Sequence, residues 1–144
     1  MALTADRLLQ FRTSAPRQTY AYSVQAGFKI WRGSIVAICG DETIVPAGAT
    51  GANPAIVKIV GIASHQQDNT SSQVPSPWSG SAPVEIYRGV YQLPFDTAPT
   101  GANEGAAVYA IDDQTVSLSS SSGARLQVGT LDGFDELGNP YVSI

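Results

Sequence analysis

At 144 residues the chain has the length of one domain with a core of its own. Only 14% of it is charged, against about a quarter in ordinary soluble domains, and the net charge of −4 works against nonspecific binding to nucleic acid or an anionic membrane. The sequence has no run long enough to span a membrane, no apolar leader block, and one cysteine, Cys39, which excludes an intrachain disulfide. Cys39 lies in an apolar run and reads as a small core residue, in keeping with synthesis in a reducing cytosol.

Residues 1–26 differ from the rest and read as an N-terminal arm. Thr4 as cap, with Leu8, Leu9 and Phe11 on one side, predicts a short helix over residues 4–12 that ends before Pro16. Tyr20-Ala21-Tyr22-Ser23-Val24 alternates as a strand does. Arg7, Arg12 and Arg17 face a single acid, Asp6, so a basic arm precedes an acidic body. Such a segment is too short for a core and must lie on something. It either wraps its own body or clasps another subunit, and composition does not separate the two. If the body closes on itself, it folds without residues 1–18.

Residues 27–144 read as one β-rich domain. Gly33 divides residues 28–38 into two short strands or a bent one. Residues 55–63 are nearly all apolar and rich in β-branched side chains, which fits a strand buried on both faces. Residues 64–83 form the longest loop, polar and proline-containing. Its Trp78 either pins the loop to the body or offers a partner an aromatic contact. Residues 84–93 read as one apolar strand, and 107–111, 115–119, 125–131 and 141–144 continue a meander. The fold class is therefore all-β: a compact antiparallel barrel or sandwich with an extended N-terminal arm. The two halves echo each other, residues 33–38 with 104–111 and 60–63 with 128–131, which fits a duplicated β-unit or chance.

The chemistry-bearing inventory is poor. His65 is the only histidine and has no Cys or second His beside it to bind a metal. No Gly-x-Ser-x-Gly elbow or phosphate-cradling glycine loop occurs. Asp112-Asp113 suits a turn better than an acid/base pair, and the acidic loop 132–139 lacks the spacing of a calcium hand. Neither a catalytic site nor a cofactor or metal is expected.

The order and spacing of several short motifs resemble the capsid decoration (cement) proteins of tailed bacteriophages. They are Gly33-Ser34-Ile35-Val36-Ala37, Val60-Gly61-Ile62-Ala63, Gly89-Val90-Tyr91-Gln92-Leu93-Pro94, Gly105-Ala106-Ala107-Val108-Tyr109 with Asp112-Asp113, Val128-Gly129-Thr130, and Tyr141-Val142-Ser143-Ile144. The resemblance implies a β-domain on the outer capsid surface of the virion that bridges major capsid subunits. It has no catalytic residues to carry over, and it leaves loop 64–83 without a role. Expected partners are the major capsid protein and further copies of this chain, as a trimer ahead of a dimer. The candidate contacts are Arg7, Leu8, Leu9, Phe11, Arg12, Arg17, Tyr20, Tyr22 and Trp78. The competing reading is a virion-surface module that grips carbohydrate on an aromatic shelf of Trp78 with Tyr87 or Tyr91.

Overall fold

A computed structural model describes residues 2–12, 18–72 and 76–144. The strands of the first half are β1 (Gln18–Ser23), β2 (Lys29–Ile30), β3 (Ile35–Cys39), β4 (Ile44–Pro46), β5 (Ile56–Ala63), β6 (Gln67–Asp68) and β7 (Pro83–Arg88). Those of the second are β8 (Val90–Gln92), β9 (Ala107–Ala110), β10 (Val116–Ser117), β11 (Gln127–Phe134) and β12 (Pro140–Ser143). A one-turn 3-10 helix, Gly101–Asn103, precedes β9, and no α-helix is found among the described residues. The domain is all-β with antiparallel sheets stacked as a sandwich; they do not close into a barrel.

One five-stranded sheet runs β1-β7-β5-β3-β4, and the other, read from the matching end, runs β8-β12-β11-β9-β10. The strand orders are the same, and so is the register. In each unit the ladder slips by one residue at a matching place, and each has one further, unmatched slip, at Ile38/Cys39 in the first and at Leu131/Gly133 in the second. Val60 is the extra residue opposite Val36 and Ala37, and Val128 is the extra residue opposite Val108 and Tyr109. Individual backbone bonds repeat as well. Gly33 N–H donates to Ala63 O at 2.9 Å and Gly105 N–H to Leu131 O at 2.8 Å. Gln25 N–H donates to Ile44 O, and Asp96 N–H to Val116 O, both at 3.0 Å. Beside those bonds a single parallel bridge joins Val24 to Ile44 and Phe95 to Val116, curling each sheet towards its far edge. The sequence echo is therefore a repeated unit of structure.

Matched positions give the direction of stacking. Val36, Ile44, Val60, Ala63 and Ile86 pack together on one face of the first sheet. Their counterparts Val108, Val116, Val128, Leu131 and Val142 pack on the matching face of the second. That second face is covered by the reverse side of the first sheet, through Ile35, Ala37, Cys39, Val45, Ile59 and Ile62. The units thus face the same way, one stacked on the back of the other. The β5 strand is buried on both faces over its second half, as its unbroken apolar sequence requires.

The inner face of the first unit has no sheet above it and is closed by a lid. Here β2 pairs with β6, and Ile30 (0% exposed) presses down on Val36 and Ile44. Gln67 is buried with its amide donating to Gly80 O at 2.7 Å, and Asn69 Nδ2 donates to Val24 O at 2.8 Å. Residues 64–72 and 76–83 are therefore part of a cover for a core. The second unit has only a short turn at the matching place, between β11 and β12, because the first sheet covers it.

Three expectations need correction. Residues 4–12 form no helix: Leu8, Leu9 and Phe11 are strung along an extended path instead. Residues 84–93 are not one strand, because the chain leaves the first sheet after Arg88 and enters the second at Val90. Residues 64–83 do not form an uninterrupted loop, since they contain β6.

Candidate interaction surface

The arm runs along its own body in two anchored stretches. In the first, Arg7 N–H donates to Arg32 O (2.9 Å), and its guanidinium donates to Gly33 O (3.0 Å) and Gln114 O (3.1 Å). Leu3 N–H donates to one oxygen of Asp113 at 2.7 Å, and the Ser34 hydroxyl donates to the other at 2.8 Å. Asp113 is 2% exposed. Burial pushes its carboxyl above the ordinary range, and the Leu3 and Ser34 bonds pull the other way. Arg7 is drawn below its usual value by its own burial, against the raising effect of Asp113 and Asp112. A buried carboxylate needs donors, and the arm supplies one of them.

In the second stretch residues 10–12 lie beside β8 as a short added strand. Gln92 N–H donates to Gln10 O (2.9 Å), Arg12 N–H donates to Val90 O (3.0 Å), and Phe11 makes an antiparallel bridge with Tyr91. The Phe11 and Tyr91 rings are 6.1 Å apart. Arg12 reaches across the strands to Asp132 (3.2 Å), to Phe134 O (3.2 Å) and over the Tyr141 ring (4.9 Å). The arm therefore completes the edge of the second sheet. Nothing in the arm's composition signals this, because the partners lie almost eighty residues away or more.

The sequence candidates now separate by environment. Arg7 and Arg12 are held by their own body, and Leu9 packs against its core. Leu8 (73% exposed) and Phe11 (41%) turn outward, while Arg17 lies outside the described residues. Tyr22 packs on the lidded core, and Tyr20 lies under the Arg88 guanidinium at 4.8 Å. Leu8 and Leu9 form one wall of a groove of about 510 Å³, with Phe95, Pro99, Phe134 and Pro140 opposite. Leu137, 87% exposed, directly precedes Gly138, which lines that groove. The sequence reading missed Leu137, Phe95 and Phe134, because the groove forms only when the arm meets two distant loops.

Trp78 packs on the His65 ring, with centroids 5.2 Å apart, and its carbonyl accepts from Asp68 N–H at 2.7 Å. It is thus tied into its own lid, yet 44% of it is exposed above a cleft of about 230 Å³ lined by Lys29, Gln66 and Asp68. Of the tyrosines expected in an aromatic shelf with Trp78, Tyr91 is buried in the main core and Tyr87 is half-buried against it.

The acids hold turns. Asp41 accepts from Thr43 and Asp68 from Thr70, each through both the backbone N–H and the hydroxyl, and Asp135 accepts from Leu137 and Asn139. The Asn139 side chain above all holds the Asp135 carboxyl below its ordinary value. Among the described residues no three His, Cys, Asp or Glu side chains converge as metal ligands would. No known protein family, curated protein or solved structure matches the chain.

Proposed function

We propose that the protein is a structural subunit that docks on the outer face of a bacteriophage capsid and bridges neighbouring major capsid subunits. The motif order given above motivates the choice of partner. The observation that carries a docking role is the apolar groove beside the arm, with Leu8 largely exposed in its lining and Leu137 largely exposed next in sequence to its lining residue Gly138. Apolar side chains this exposed around a concave apolar surface are what protein partners bury. A shell presents the same site many times, so modest contacts per copy add up through repetition. The acids and arginines described above are engaged in turns and in the arm seat, and no step of a reaction is assigned to them.

Cosedimentation of the purified chain with empty heads of a cognate tailed phage tests this reading. Saturable binding is expected. Leu8→Asp with Leu137→Asp should reduce occupancy by about tenfold or more, with the melting temperature nearly unchanged because both side chains are exposed. Failure of the wild-type chain to bind, or full occupancy by the double variant, would overturn it.

A further inference from the structure

We infer that the cleft between the two units, at the end where Arg125 lies, is a binding site for a small apolar carboxylate such as an alkanoate. The inference does not depend on the capsid reading. The cleft holds about 450 Å³ and takes its walls from both units: Ala49, Ile56 and Ile59 from the first, Ala110, Ile111 and Leu126 from the second. That volume lies within the range of small-molecule pockets, roughly 300–1,000 Å³. None of the residues lining it lines the groove beside the arm.

The cleft follows from how the units stack. Ile59 on the back of the first sheet and Ala110 of the second belong to one core. After β4 the chain turns at Gly48 (φ +76°), where a Cβ would come 2.9 Å from Ile111 O, so this turn rests directly on the second unit. Beside that contact the walls include the small side chains of Ala49, Ala110 and Ala124, which hold the surfaces apart less than larger ones would fill them.

The ligand's chemistry follows from Arg125, the one ionisable side chain among the described lining residues, and half-buried. Its guanidinium donates from Nη1 to Ser119 O at 3.1 Å. The other half-buried arginines among the described residues have an acid or a ring beside them: Arg7 lies by Asp113, Arg12 pairs with Asp132 and Arg88 covers Tyr20. Arg125 has the Ser119 carbonyl instead, and its planar fork keeps donors in the geometry that fits a carboxylate. The backbone leading to it is held in an uncommon form. Ser121, Ser122 and Gly123 take positive φ in succession (50°, 56° and 85°), and Ser120 O accepts from both Gly123 N–H (3.1 Å) and Arg125 N–H (3.0 Å). Left-handed serines are kept where the surroundings or a function hold them. Apolar walls with a single cation select an apolar monoanion; phosphate would set further charge against those walls.

Titration of the full-length, isotope-labelled protein with sodium octanoate tests the inference. Saturable amide shifts are expected within residues 48–59 and 110–126, in both units at once, with residues 92–95 and 134–140 unmoved. Octan-1-ol carries the same chain without the charge, and it should bind the wild type about fivefold or more weakly than octanoate. Arg125→Gln should lose octanoate affinity by a similar factor. Ala124→Phe, at an exposed lining position, should block entry and abolish the shifts, with circular dichroism checking that the fold persists. Should either variant fail to fold, the comparison of octanoate with octanol on the wild type still decides. Several outcomes would overturn the site: no saturable shift by about 5 mM octanoate, shifts centred on the arm groove, equal affinity for the acid and the alcohol, or wild-type affinity in folded Arg125→Gln.

Discussion

The backs of the two sheets are matched strand for strand and built from different chemistry. In the first unit the back carries Ile35, Ala37, Val45, Ile59 and Ile62, all buried against the second unit. In the second unit the same positions hold Ala107, Tyr109, Ser117, Gln127 and Thr130, and Gln127 and Thr130 are exposed. One topology thus serves as an internal layer when its back is apolar and as the end of the stack when its back is polar. The other end is finished differently, by the β2–β6 lid over an inner face that no sheet covers. Strand order makes the unit repeatable, and surface chemistry sets how many units stack.

The largest effect is expected where the units leave no room for a side chain. A Cβ on Gly129 would lie inside the Ser143 carbonyl, and one on Gly61, at φ +147°, would come 2.5 Å from Tyr87 O. Gly129→Val should therefore cost on the order of 4 kcal/mol or prevent folding, with Gly61→Val close behind. Chemical denaturation checks both, and a tolerated valine at either site would mean the two sheets are not built on one close backbone approach.

Removing the arm comes next. Deleting residues 1–12 strips Asp113 of the Leu3 and Arg7 contacts, takes Leu9 from the core and reopens the β8 edge. A loss of about 3 kcal/mol is expected, since breaking up a buried charge cluster typically costs that much. The reading of a body that folds without its arm is replaced by this one. An unchanged denaturation midpoint would restore it.

The lid should matter at a similar or smaller scale. Ile30→Ala should cost about 2–4 kcal/mol and should speed amide exchange at Val36 and Ile44 in the lidded core more than at Val108 and Val116 in the core between the sheets. Equal acceleration in both would show that the two cores open as one.

The smallest effect is a pH dependence with an unusual sign. The Asp113 carboxyl sits above its ordinary value in the folded chain, so there the fold binds a proton that the unfolded chain releases. Its contribution to stability falls as pH rises through that raised value and grows as pH is lowered towards the unfolded value. Asp135, held low, behaves oppositely: its contribution is present above the unfolded value and lost in acid. The melting temperature of the wild type should therefore gain on that of Asp113→Asn as pH falls from neutral towards 4. A gap that narrows in acid would contradict the assignment.

Much of the fold was legible in local sequence. Alternation and β-branched runs marked the strands, and Val60-Gly61 with Val128-Gly129 marked the repeat, because a bulge next to a close backbone approach demands the same residues twice. Less legible was whatever depends on contacts far along the chain. Residues 4–12 have a helical spacing of apolar groups, but the carbonyls of Arg32 and Gly33 and the edge of β8 hold them extended. Residues 84–93 read as one strand because each half alternates correctly for its own sheet. Lid, arm seat and groove are long-range assemblies, and only Trp78 and the arm's apolar residues hinted at them.

The claim that the units stack in one direction is tested most directly by reciprocal substitution at one matched pair, Ile62 and Thr130. Each faces the back of its sheet at the same register, opposite Ile35 and Ala107. Ile62 is 3% exposed and Thr130 is exposed. Unfolding free energies should show Ile62→Thr losing roughly 2 kcal/mol or more, for a lost buried group and a hydroxyl placed in the core. Thr130→Ile should stay within about 0.5 kcal/mol of the wild type. Losses of similar size at both positions would mean that the two backs are equally buried, and the same-way stack would be wrong.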